Sequence, residues 1–134
     1  MKVLVDTSVW SLALRRTPNK ETNEVTERLT NLILSSQAVI IGAVRQELLS
    51  GLSDQKTFNG LKSGLRHFDD LPISTSDHEL AAQFFNTCRK NGIQGSHTDF
   101  LLCAVAVSHD LLIFTTDKDF EHYAKHLPIR LLEA

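Results

Sequence analysis

Lys2-Val3-Leu4-Val5-Asp6-Thr7-Ser8-Val9-Trp10 is the stretch on which the fold turns. Its β-branched and aliphatic residues make a short buried strand that ends sharply at a carboxylate and a Thr-Ser pair. Thr7 or Ser8 can cap the free N–H groups of a helix carrying Val9, Trp10, Ala13 and Leu14, and Thr17-Pro18-Asn19 supplies a break. A strand that runs straight into a helix is the opening of an alternating α/β chain.

The alternation continues outward. Lys20 to Leu34 has Val25, Leu29, Leu32 and Ile33 at helical spacing, with Glu21, Glu24, Glu27 and Arg28 on the wet side. Ala38 to Ile41 is the next strand, leading through Gly42 into a helix over Ala43 to Leu49 that Gly51 can stop. A helix from Asp54 to His67 is weakened by Gly60 and Gly64, and Phe68 to Ile73 has the character of a short strand. Ser76 to Lys90 is helical, with Leu80, Ala81, Phe84, Phe85 and Cys88 on one stripe and Asn91-Gly92 ending it. After an irregular Gln94 to Thr98 come a helix over Asp99 to His109 and an apolar strand, Leu111 to Thr115. A short helix over Asp117 to Lys125 and an edge strand over Ile129 to Leu132 complete the chain. Short strands alternating with helices predict a mostly parallel sheet covered on both faces, a three-layer α/β/α sandwich.

Composition sets the outer bounds. A chain of 134 residues, 42% hydrophobic and 22% charged, suits one soluble globular domain spanning residues 1–134. A formal charge of -2 argues against binding nucleic acid through bulk charge. Cys88 and Cys103 are too few for a disulfide scaffold and lack the paired spacing of a zinc site, so a reducing cytoplasm is the expected location. The longest unbroken apolar run, Leu101 to Val107, falls far short of the roughly 18 to 20 residues that span a bilayer. The apolar stretch Val3 to Val5 stops at Asp6, so no secretory signal is expected.

Parallel sheets bind ligands beyond the C-terminal ends of their strands, which draws attention to the acids there. Asp6 directly follows the first strand, and Asp117 closely follows the most apolar one; each can serve as a plain helix cap. Asp99 shares the apolar stripe of Leu102, Cys103 and Ala106, so it must either cap its helix or have a cationic partner. Glu47, beside Val44, borders the buried face of its helix or stands as a surface residue near Arg45. If the four converge, like charges about 4 Å apart repel by roughly 1 to 4 kcal/mol per pair at effective dielectrics of 80 down to 20. With no lysine or histidine at these positions, a hard divalent ion, Mg²⁺ or Mn²⁺, is the simplest neutraliser of such an oxygen-only set.

These residues carry a family likeness. The chain resembles the PIN-domain ribonucleases, specifically the small VapC-like toxins of toxin-antitoxin pairs, in four segments in order. Val3-Leu4-Val5-Asp6-Thr7-Ser8-Val9-Trp10 resembles the opening strand and first acid, and Glu47-Leu48-Leu49-Ser50-Gly51 the E-L-x-x-G helix. Asp99-Phe100-Leu101-Leu102-Cys103-Ala104-Val105-Ala106 is similar to the D-x-L-I-A-A-x-A helix, with Cys103 in place of the more usual alanine. Thr115-Thr116-Asp117-Lys118-Asp119-Phe120 is similar to the T-x-D-x-D-F segment.

The resemblance implies that Asp6, Glu47, Asp99 and Asp117 form an acidic catalytic site for Mg²⁺ or Mn²⁺, with Asp119 a fifth ligand or a support. Ser8 and Thr115 would be hydroxyl partners that orient carboxylates or water. It further implies metal-dependent endonucleolytic cleavage of RNA to 5′-phosphate and 3′-hydroxyl ends, homodimerisation, and a cognate antitoxin partner. Setting the four acids aside turns the charge of -2 into +2, and Arg15-Arg16, Lys20, Arg45 and Arg89-Lys90 are candidate phosphate contacts. His122 and His126, at i and i+4, lack the H-E-x-x-H pattern and suit a surface helix better than a metal site. Two rivals stand beside this reading: a receiver-like phospho-signalling domain, which would want paired acids where Asp6 stands alone, and a PIN fold reduced to an inactive scaffold.

Overall fold

The computed structural model describes residues 1–14 and 19–133. Arg15 and Arg16, and the break expected at Thr17-Pro18, lie outside that range. Strand β1 (Val3–Val5) is followed by helices α1 (Thr7–Ala13) and α2 (Lys20–Leu34), strand β2 (Ala38–Val39) and helices α3 (Gly42–Leu49) and α4 (Gln55–Leu65). Helices α5 (Thr75–Lys90) and α6 (His97–Ser108), strand β3 (Leu112–Phe114) and helix α7 (Asp119–Tyr123) follow.

The sheet runs β2-β1-β3, every pairing parallel, with Val3 opposite Ala38 and Leu112, and Val5 opposite Phe114. The expected α/β/α sandwich is the fold found: all three β1 residues are buried, and helices cover the sheet. A strand covered on both faces has no polar side to alternate with, which is why these strands read as continuous apolar runs.

Both outer strands are shorter than expected. The segment around Phe68 to Ile73 contributes one parallel bridge, Ile40 to Asp70, closed by the Leu71 N–H on the Ile40 carbonyl at 2.9 Å. Pro72 follows at once and has no N–H with which to extend the ladder. On the other edge, Ile129 to Leu132 is reduced to a bridge between Ile113 and Leu131, with the Ile113 N–H donating to Arg130 and the Leu132 N–H to Ile113.

Central β1 places its C-terminal end beside that of β3. The Asp6 N–H donates to the Phe114 carbonyl at 2.9 Å, carrying the ladder one residue past the strand and setting Asp6 next to Thr115. Helix α6 is buried on most of its circumference: Phe100 and every residue from Leu102 to Ala106 are buried. A helix that is apolar all round belongs inside the molecule, and here it carries Asp99 in with its first turn.

Candidate functional site

Asp6 occupies the N-cap position of α1, but its side chain makes no capping bond; the Asp6 carbonyl alone accepts from Val9 and Trp10. The carboxylate is only 5% exposed and has another use. Its Oδ2 accepts two hydroxyls, Ser8 Oγ and Thr115 Oγ1, each at 2.8 Å. Those hydroxyls are oriented in turn: Ser8 Oγ accepts the Thr116 N–H at 3.1 Å and Thr115 Oγ1 accepts the Asp117 N–H at 3.0 Å. Each hydroxyl thus accepts one backbone N–H and donates to Asp6, and the two oxygens stand 3.3 Å apart. Oδ1 of Asp6 receives no hydrogen bond among the described residues. Neither Thr7 nor Ser8 caps α1, as the sequence suggested; Thr7 Oγ1 donates to Glu47 Oε1 at 2.7 Å instead.

Asp99 meets neither of the two expectations for it. The cap of α6 is Ser96, three residues before the expected start, and its Oγ accepts the Asp99 N–H at 3.0 Å. The partner of the carboxylate is a neutral donor, the Tyr123 hydroxyl, which gives its proton to Oδ2 at 2.7 Å. Burial raises the pKa of Asp99 above its ordinary value, against the lowering effects of the Tyr123 hydroxyl and, more weakly, of Ser96, and the charges of Asp6 and Asp117 raise it further. Burial also raises the Tyr123 hydroxyl, which therefore stays a proton donor.

Asp117 serves its local turn with one oxygen, Oδ1, which accepts the Asp119 N–H at 2.9 Å before α7 begins. It is not the N-cap of α7, a position Lys118 takes, and its charge is among those that raise the pKa of Asp99. Asp119 lines a cavity of about 290 Å³ with Gly92, Ile93, Gln94, His122 and Tyr123, and its charge helps to raise the Tyr123 hydroxyl. Glu47 is exposed on α3 and reaches this region through Thr7, the residue after Asp6.

So the fold brings Asp6 and Asp117 within electrostatic range of Asp99, with Ser8 and Thr115 bound to Asp6, while Asp119 acts on Tyr123 and Glu47 joins through Thr7. Among the described residues, no three His, Cys, Asp or Glu side chains are already closed around one point as a metal cage. Nor do any of these five acids enter an ion pair there; the pairs formed are Arg45–Asp70, His109–Asp77 and Arg130–Asp110. Arg45, a candidate phosphate contact, is occupied by structure: it donates to Asp70 and to the carbonyls of Leu65 and Phe68. Arg89 lies over the Phe85 ring, 5.5 Å from its centre.

Cys103 is buried on α6 beneath this cluster, and desolvation, joined by the charge of Asp99, raises its thiol pKa; it is an inert packing atom. Sequence reasoning gave no role to Tyr123, the one tyrosine of the chain, and no spacing rule connects it to an acid 24 residues earlier.

The comparisons agree with the fold. FitAcB from Neisseria gonorrhoeae superposes with a TM-score of 0.77 at 25% identity, covering 98% of this chain and 96% of that one. VapBC2 from Rickettsia felis, solved bound to a DNA fragment from its promoter, gives 0.72 at 18% identity over 99% and 98%. VapBC-5 from Mycobacterium tuberculosis, of the VapBC family of toxin-antitoxin systems, gives 0.69 at 14% identity over the whole of both chains. No curated protein sequence matches this chain. The PIN domain family matches from Val3, at the head of the central strand, to His126, just beyond α7, a span that holds every acid described above, and the chain belongs to that family.

Proposed function

We propose that this protein is a divalent-metal-dependent endoribonuclease acting as the toxin of a toxin-antitoxin pair. The observation that carries the reading is the state of two carboxylates, buried Asp6 and half-buried Asp99. Asp6 and Asp99 each have one oxygen claimed by neutral hydroxyls and one left open, and they share their surroundings with Asp117 and with no ion-pair partner among the described residues. Carboxylates buried only for structure gather donors on both oxygens. Open anionic oxygens held near one another fit a missing cation, and a donor set of carboxylates and hydroxyls fits a hard one, Mg²⁺ or Mn²⁺.

Asp6, Glu47, Asp99 and Asp117 would hold the ion, Asp119 would support it, and Ser8 and Thr115 would keep the Asp6 carboxylate in place. When bound, such an ion supplies charge stabilisation at the phosphate oxygens and a more acidic water. The chain's own contribution is to fix these carboxylates before substrate arrives. Ser8 and Thr115 lock the rotation of Asp6, and Ser96 holds the first turn of α6 so that Asp99 stays facing the end of the sheet. The elevated pKa of Asp99 has the same sense: without a cation beside it, this acid retains its proton to a higher pH than a free carboxylate does.

A cognate antitoxin and homodimerisation are part of the same proposal. The VapBC toxin-antitoxin structures among the fold's neighbours support the antitoxin, and the homodimer rests on the family resemblance alone. Among the described residues no helix is long and apolar enough to cross a membrane. Incubating the purified chain with end-labelled RNA tests the activity. Cleavage to 5′-phosphate ends is expected in Mg²⁺ or Mn²⁺, and loss of it in excess chelator and in Asp6→Ala, whose circular dichroism should match the parent. Undiminished cutting in chelator would falsify the metal-dependent mechanism. Light scattering and co-purification with the product of the adjacent gene check the dimer and the antitoxin.

A further inference from the structure

We propose that Tyr123 is a positioning residue for Asp99: its buried hydroxyl holds Oδ2 and leaves Oδ1 as the oxygen available to a divalent cation. The inference rests on the metal-dependent reading above and adds to it a residue outside the four motifs.

The side chain is built into place from every direction. Tyr123 is fully buried, with the Phe100 ring centre at 4.9 Å and the Phe120 ring centre at 5.1 Å, so the phenol cannot swing away. Its tip lies over Gly95. A Cβ at that position would stand 2.8 Å from the Tyr123 Cζ and 2.9 Å from the Phe100 Cε2, and closer still to the hydroxyl. Only a residue without a side chain lets the hydroxyl reach Asp99 along this path. Gly95 has no positive φ to explain it, so close approach is the reason left for a glycine here.

The arrangement at Asp99 repeats the one at Asp6. In each carboxylate Oδ2 accepts a hydroxyl proton from a residue far along the chain, Thr115 for Asp6 and Tyr123 for Asp99, and in each Oδ1 accepts none among the described residues. Ser8 and Thr115 lock the first acid, and Tyr123 locks the second. A tyrosine whose hydroxyl merely needed a partner would be satisfied by any carbonyl; this one spends its proton on an acid that already feels two neighbouring negative charges.

Mn²⁺ titration by calorimetry, without RNA, separates positioning from packing. Tyr123→Phe keeps the ring and removes only the hydroxyl. Its Mn²⁺ dissociation constant should rise about tenfold, the lower end of what losing an outer-shell partner costs a metal site. RNA cleavage should lose kcat with KM unchanged, while the circular dichroism spectrum stays that of the parent. Gly95→Ala, which displaces the hydroxyl without removing it, should weaken Mn²⁺ in the same direction. A Tyr123→Phe protein that binds Mn²⁺ within twofold of the parent overturns the positioning role and leaves the metal site standing. A parent that binds no Mn²⁺ overturns both.

Discussion

Helices α5 and α6 begin with the same signature, Ser74-Thr75-Ser76-Asp77 and Ser96-His97-Thr98-Asp99, and treat the two aspartates in opposite ways. In both, the serine hydroxyl accepts the N–H of the acid three residues on. At α5 the exchange is completed: Asp77 Oδ2 accepts the Ser74 N–H at 3.0 Å, closing a capping box. Ser108 then donates to Oδ1 at 2.5 Å and His109 stands 3.4 Å from Oδ2, so both oxygens are occupied. Burial raises the pKa of this acid, but the donors outweigh it and hold the carboxyl down at about 2. At α6 the return bond is not made. Asp99 is turned from its own helix end to Tyr123, keeps one oxygen open, and has its pKa raised. The same local motif yields a saturated carboxylate that clamps two helices and an unsaturated one that faces other acids, and the tertiary neighbours alone decide which.

The largest effect that separates the two is on cleavage. Asp99→Asn should lose at least about a hundredfold in RNA cleavage, since removing a ligand costs no less than removing the group that supports one. Asp77→Asn should leave the activity per folded molecule unchanged. Single-turnover rates on both variants, normalised to folded protein, check this; equal losses would erase the distinction between the two acids.

Next in size is stability. Asp77→Asn weakens charge-assisted bonds from Ser74, Ser108 and His109 that tie the start of α5 to the end of α6, and should cost about 2 kcal/mol. Asp99→Asn removes a negative charge from among other negative charges, so metal-free unfolding in urea should show it no less stable than the parent. A drop at Asp99 as large as that at Asp77 would mean that the hydroxyl bond outweighs the repulsion.

The pH dependence should have two limbs of opposite sign. The pKa of Asp77 is lower in the folded chain than the ordinary 3.8, so its stabilisation is present above that value and is lost as the pH falls toward 2. The pKa of Asp99 is higher in the folded chain, so its contribution is complete below 3.8 and is lost as the pH rises through the elevated value. Unfolding free energies measured from pH 2 to 7 in chelator should show Asp77→Asn flattening the acid limb and Asp99→Asn the upper one.

Much of this was open to a reader of the sequence, and the rest was closed for physical reasons. The parallel sheet was legible because β1 and β3 are apolar on both faces, and Asp6 was legible because the strand stops dead at a carboxylate. The motif resemblance singled out Ser8 and Thr115, and both hydroxyls bond to Asp6. The start of α6 was misplaced at Asp99 because the stripe of Leu102, Cys103 and Ala106 pointed to the acid, whereas the cap is the serine three residues earlier. Arg45 looked like a free cation, yet it is consumed by partners 20 to 25 residues away, a distance at which no periodicity operates. Tyr123 was invisible for the same reason: its ring reads as ordinary core, and only the folded chain shows where its hydroxyl goes.

The smallest expected effect tests the comparison at its root. Ser74→Ala removes the hydroxyl that accepts the Asp77 N–H, but the return bond from the Ser74 N–H to Asp77 runs through backbone and survives the substitution. Ser96→Ala removes the one side-chain cap α6 has, with no second bond behind it. Loss of a serine cap costs about 1 kcal/mol where nothing compensates. Ser96→Ala should therefore show that loss in its urea midpoint, and Ser74→Ala about half of it. The reverse order would mean that Asp77 depends on the serine hydroxyl more than on the backbone bond. The contrast between the two helix starts would then lie in the caps themselves, with nothing left for the diversion of Asp99 to explain.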